Sequence, residues 1–147
     1  MDRRALETEA LLADGKRVLA IDPFYYGESK IRSHDHLFAL LVAAVGERPL
    51  GIQASQITAV ARWAKSEFSA PVELVSVGPR SSLVALCAGA LDRNAITGVD
   101  ARDSLRSLKE IIEKNLSVDK APELFCFGLL ESFDIADLRR LGAPLRP

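Results

Sequence analysis

Residues 78–82, Gly78-Pro79-Arg80-Ser81-Ser82, join the apolar run VELVSV to the small-residue run LVALCAGAL. A strand that turns sharply through glycine into a helix is where many serine hydrolases expose a nucleophile, in the motif G-x-S-x-G. Laid on that motif, Gly78 matches the first glycine, Arg80 takes the nucleophile's place and Ser82 replaces the last glycine. A guanidinium stays protonated at any working pH and cannot attack an acyl carbon. Ser81 and Ser82 remain as displaced nucleophile candidates, or as caps for the helix that follows. Arg80 and Ser81 are also candidate ligand-binding residues, because a guanidinium beside the open N–H groups of a helix start attracts anions. The plainer expectation for Arg80 is a pairing with a surface carboxylate, or solvation.

The remaining chemistry-bearing residues are few. His34 and His36 flank Asp35. Histidines two apart share a side only on an extended strand, and no third ligand is evident, so a solvated loop or helix start is expected and no metal site. Asp22 closes an apolar run, where open α/β sheets bind ligands at their strand ends, although a structural role is the simpler reading. Phe24, Tyr25 and Tyr26 form either a sugar-stacking platform or a cover for the sheet edge. Cys87 and Cys126 both sit in apolar runs, which suits buried free thiols, with one disulfide as the alternative. Neither G-x-G-x-x-G nor a phosphate-binding G-x-x-x-x-G-K-[ST] occurs, so no cofactor is expected.

The elements that must position these residues alternate. Residues 5–13 have helical composition and stop at Asp14-Gly15. KRVLAIDP (16–23) suits a buried parallel strand, and a polar irregular loop follows. Residues 36–46 are apolar on nearly every side, which predicts a buried helix ending at Gly46. ERPLGI reads as a turn. Residues 53–68 place Ile57, Val60, Ala61, Ala64 and Phe68 at helical spacing. A strand over 72–77, a helix over 82–91 and a strand over 95–101 come next. Asp103 or Ser104 caps an expected helix with a stripe of Leu105, Leu108, Ile112 and Leu116. PELFCFGLL is ambiguous between helix and strand, and DIADLRRLG is a short helix between Asp134 and Gly142. This alternation predicts an α/β fold on a short, mostly parallel sheet.

The totals agree with one domain over residues 1–147. An apolar share of 48% and a charged share of 27% describe a globular chain able to bury a core. A net charge of −1 leaves no basic surplus for nucleic acid. The charged N-terminus has no apolar core of a signal peptide, and no run reaches membrane-span length, so no membrane partner is expected.

Three stretches resemble the α/β-hydrolase superfamily, and specifically its acetyl xylan esterase-like branch. RVLAIDPFYYGES looks like a strand and loop of that family, LVSVGPRSSLVAL falls where its nucleophile elbow belongs, and PELFCFGLLESFDIADLRRLGAPLRP is similar to a segment of these esterases, with FDIADL followed by AP-RP. The resemblance implies a three-layer sandwich around an incomplete hydrolase-like core. It lacks the N-terminal strands and the later strands that carry the catalytic acid and histidine. A Ser-His-Asp relay needs a base beside the serine, yet both histidines precede the turn. The expectation is therefore a domain without activity of its own, structural or ligand-binding. The alternatives are a carboxylic ester hydrolase using Ser81 or Ser82 with a base from elsewhere, and an interaction protein pairing through its sheet edge. A strand that belongs between residues 16–23 and 72–77 would precede residue 1. Either those two strands pair directly or another polypeptide fills the slot, so the implied partners are a second copy or the remainder of a larger esterase-like chain. As part of a longer protein of this kind it would be exported.

Overall fold

The computed structural model describes residues 3–31 and 33–142, with side chains from residue 8 except at 35 and 36. Helix α1 (Arg3–Ala13) ends where the sequence says. Gly15 takes a φ of 74°, and the amides of Gly15 and Lys16 return to Leu12 and Leu11, a left-handed stop that glycine adopts without a Cβ penalty. Helix α2 (Asp35–Ala44) closes in the same way before Gly46, at φ 88°. Helix α3 (Pro49–Phe68) starts a turn earlier than the stripe suggests. Pro49 is its first residue, a position where a missing N–H costs nothing, so the expected ERPLGI turn is mostly helix.

The sheet has two parallel strands, β1 (Val72–Val77) and β2 (Ile96–Arg102), joined by α4 (Pro79–Leu91). Leu74 pairs with Val99 and Ser76 with Ala101, and these residues face the helices. α3 and α4 pack on each other and both touch the strands. The core lies between: Leu83, Val84, Leu86 and Ala88 of α4 are buried with Ile96 and Val99 of β2 and Ala54 and Ala61 of α3. Small residues at the α3–α4 seam allow the close approach that this layer needs. The alternate residues, Glu73 and Val75 with Gly98, Asp100 and Arg102, face the other way and line a cavity of about 200 Å³ with Leu11 and Lys16. The fold is thus mixed helix and strand on a short parallel sheet, with α3 and α4 packed on one face and Leu11 of α1 reaching the cavity on the other.

Two longer segments also depart from expectation. Residues 16–23 form no strand and pair with neither β1 nor β2 among the described residues, and Leu19 and Ile21 are exposed. The apolar run suited a strand, but a strand exists only by pairing, and no described strand adjoins it. Lys16 reaches Glu73 at 3.6 Å and Arg17 lies over the Phe68 ring, so the segment leaves the amino end of β1. It ends near the opposite end, where the Phe24 amide donates to Gln56 and Gln53 donates to the Phe24 carbonyl.

The predicted helix from Asp103 shrinks to α5 (Glu110–Glu113), and Ile112 is exposed while Ile111 is buried. Asp103 is a left-handed turn residue, at φ 51°, and no α-helix follows it before Glu110. Asp134 instead takes hydrogen bonds from the Ser107 hydroxyl and the Leu108 amide, fixing that stretch in an irregular path. The ambiguous PELFCFGLL becomes a 3-10 turn (Pro122–Leu124), a left-handed Gly128 and α6 (Leu129–Ser132). Helix α7 (Ile135–Leu141) carries the expected cap: Asp134 accepts from the Ile135 amide, and Asp137 accepts from the Asp134 amide. Gly142 ends it with ordinary φ. Its value is space, since a Cβ there would lie 3.1 Å from the Leu138 carbonyl oxygen and within 3.6 Å of the α4 backbone. The AP-RP end of the esterase-like segment lies outside the described residues.

Candidate functional site

The turn after β1 is the natural place to look, because parallel sheets present ligands at the carboxyl ends of their strands. Its sharpest residue is Gly78, with φ 93° and ψ 164°. Arg80 is not at an apex; it sits in the first turn of α4. The left-handed strain that a nucleophile elbow stores at its serine is therefore taken by a glycine two residues earlier, which adopts it freely.

Arg80 does not face solvent either. Its Nε bonds Glu123 Oε1 and its Nη2 lies 3.2 Å from Glu123 Oε2, a two-pronged fork. The Glu123 side chain is wholly buried, so the pairing is with a core carboxylate rather than the expected surface one. The Tyr26 ring covers the guanidinium at 5.0 Å, and its hydroxyl lies 3.4 Å from Glu123 Oε1. An ionised carboxylate inside a protein persists only when paired and hydrogen-bonded. Arg80 and Tyr26 meet that condition together, which ties the 3-10 turn at Pro122–Leu124 to α4 and to the loop after residue 23.

The serines serve the same turn. The Ser81 hydroxyl donates to the Val77 carbonyl at 2.7 Å, one helical turn back. Ser82 is fully buried, and its hydroxyl donates to the Arg102 carbonyl at 3.2 Å. The Ser76 hydroxyl donates to Ser82 Oγ at 3.4 Å. Neither serine caps the helix: its N-cap is Gly78, and no side chain bonds there. The capping expectation fails because Pro79 starts the helix early and places both serines inside it. Their hydroxyls fasten α4 to the strand ends.

The other flagged residues part company. Asp22 is structural here: its carboxylate accepts from the Glu28 amide, and Gly27 (φ 44°) leaves room for it, since a Cβ would lie 1.8 Å from Oδ2. Tyr25 is buried against Phe24, with Phe38 edge-on at 5.9 Å, so these rings form internal packing. His34 is the left-handed residue before α2, and the side chain of His36 is outside the described set. Cys87 and Cys126 are both free thiols. Burial, together with the charge of Cys126, pushes Cys87 up to about 12, and burial raises Cys126. Such thiols stay protonated and unreactive.

A depression of about 670 Å³ lies at the far end of the sheet, lined by residues that include Arg62, Lys65, Asp92 and Asn94. Its charges are committed: Arg62 bonds Asp92, and Lys65 bonds the Asn94 carbonyl. The Asp92 carboxylate also accepts the Asn94 and Ala95 amides. The Ala95 amide, the Arg62 guanidinium and the Asn94 amide hold it below the usual carboxylate range against its desolvation. This cluster fixes the α4–β2 turn.

Glu123 is the residue the sequence reading passed over. The signal was present: APELFCFG holds one charge in an apolar run, and a lone charge there demands a buried partner. Compared with protein-family models, with curated proteins and with solved structures, the chain matches none.

Proposed function

We propose that this chain is an incomplete α/β-hydrolase-like core, of the acetyl xylan esterase-like branch, that has no esterase activity of its own and acts as a structural module. The single observation that carries the reading is the fork between the buried Glu123 and Arg80, the residue aligned with the nucleophile of G-x-S-x-G. Around it, Ser81 and Ser82 donate their protons to backbone carbonyls, so no base receives them. Acyl transfer needs a base in hydrogen-bond reach of the hydroxyl. A second helical layer over the open face of β1 and β2, and further strands beside them, would make the three-layer sandwich of the resemblance.

Incubation with p-nitrophenyl acetate tests the reading. The expected result is hydrolysis no faster than with the heat-denatured chain. Turnover that vanishes with Ser81→Ala or Ser82→Ala would favour the esterase alternative, with its base supplied by another chain.

A second reading has an observation of its own. Among the described residues, the apolar run 16–23 is in no sheet and β1 pairs with β2 alone. An open edge of this kind takes up a strand from another polypeptide. Work as an interaction protein through the sheet edge is compatible with a silent turn. Hydrogen exchange would test it: the β1 amides should exchange faster than those of α4 in the isolated chain and slow on adding the partner.

A further inference from the structure

Helix α2 is read from sequence as buried, yet the structure leaves one side of it in solvent. Ala39 is buried, whereas Leu37 (47% exposed), Leu40 (55%), Leu41 (65%) and Val45 (78%) point outward, with Phe38 beside them at 39%. Leu37, Leu40, Leu41, Ala44 and Val45 follow the spacing i, i+3, i+4, i+7, i+8, a continuous apolar stripe. No charged side chain occurs between Leu37 and Val45. These side chains expose on the order of 500 Å² of apolar surface, at the upper end of what a lone monomer carries.

We infer that this stripe is the contact through which two copies of the chain associate, α2 against α2 in antiparallel fashion about a two-fold axis. Three observations select this occupant. Matching the stripe with a second copy removes up to about 1,000 Å² from water, the threshold that separates a specific interface from a chance contact. The stripe is self-complementary: an antiparallel pairing centred on Leu41 sets Leu37 against Val45 and the large Phe38 against the small Ala44. It also sets each helix start beside its partner's helix end, which the helix dipoles favour. A lipid surface fits less well. No single helix is long and apolar enough to cross a membrane; α2 and α3 reach that length and composition only together, across an 82° bend, and α2 lacks the lysines and arginines by which surface helices hold lipid headgroups. This contact uses α2 alone and stands whether or not the chain is a silent hydrolase-like core or pairs through β1.

Light scattering on the size-fractionated chain decides it. The expected mass is twice the 16.0 kDa of one chain. Leu41→Glu, at an exposed position, should keep the far-ultraviolet circular dichroism of the parent and weaken the dimer at least tenfold. Leu41→Cys should cross-link to itself on mild oxidation. Leu37→Cys should not, yet it should cross-link to Val45→Cys when the two are mixed. A single-chain mass at several hundred micromolar would overturn the inference, as would a dimer unaffected by Leu41→Glu or a Leu41→Cys dimer that fails to cross-link. Flotation of the parent, but not Leu41→Glu, with vesicles of phosphatidylcholine and phosphatidylglycerol would also overturn it, by showing lipid on the stripe.

Discussion

The carboxyl end of the sheet and the N-terminal third of the chain satisfy their groups in opposite ways. Around Arg80, every group that chemistry would need is already bonded: the guanidinium to Glu123, Ser81 to Val77 and Ser82 to Arg102. From residue 16 to residue 45, apolar side chains are left uncovered at Leu19, Ile21, Leu40, Leu41 and Val45. The polar groups of the turn are satisfied within the fold, while an exposed apolar stripe gains free energy only when something covers it.

The sharpest test of this contrast uses Cys87 in the closed half. With its pKa raised from 9.0 to about 12, the native thiol should label about a thousandfold more slowly near neutral pH than in urea, since reactivity follows the thiolate fraction. Folding favours the neutral thiol, so its contribution to stability is complete below pH 9 and declines between 9 and 12. Rapid native labelling would show the α4 layer to be as open as α2.

Next in size is Arg80→Ala, which strands a buried carboxylate and should cost about 3–5 kcal/mol. Urea unfolding reads it. Arg80→Met with Glu123→Leu should restore most of the loss, because an apolar pair needs no charge compensation. A loss below about 1 kcal/mol for Arg80→Ala would mean the fork contributes little, and would reopen the turn to ligands.

Asp134→Ala removes a helix cap and two bonds to the Ser107–Leu108 stretch, an expected loss of about 1–2 kcal/mol. Desolvation pushes the Asp134 carboxyl up. The Ser107 hydroxyl, the Leu108 and Ile135 amides and the nearby Lys109 outweigh it and hold the group below the usual carboxylate range. Its stabilisation is therefore present above the ordinary value of 3.8 and fades as pH falls through the lowered one. Acid titration of Asp134→Ala should show a flatter decline below pH 4 than the parent. Smallest of all, Leu19→Ser should change stability by no more than about 0.5 kcal/mol, since more than half of that residue is in solvent. A larger loss would show that residues 16–23 are covered in solution, and by what they are covered then becomes the question.

The amino-acid sequence determined the parts whose signals are local. Gly15 and Gly46 stop their helices, Val72–Val77 is a strand bounded by Pro71 and Gly78, and Asp134 with Asp137 forms a capping box, each decided within a few residues of chain. It also revealed that position 80 cannot be a nucleophile, since that is a matter of residue type. Tertiary structure alone decided the rest. Residues 16–23 have the composition of a strand but no neighbour to pair with among the described residues, and hydrogen-bonded pairing is not encoded in one segment. The Leu105–Leu116 stripe lost most of its helix because Asp134, 26 residues beyond Leu108, captured that amide first. Arg80 read as a surface residue until Glu123, 43 residues away, met it inside the core. Local propensity is set by neighbours along the chain; which polar groups are satisfied, and which apolar faces stay bare, depends on what folding brings together.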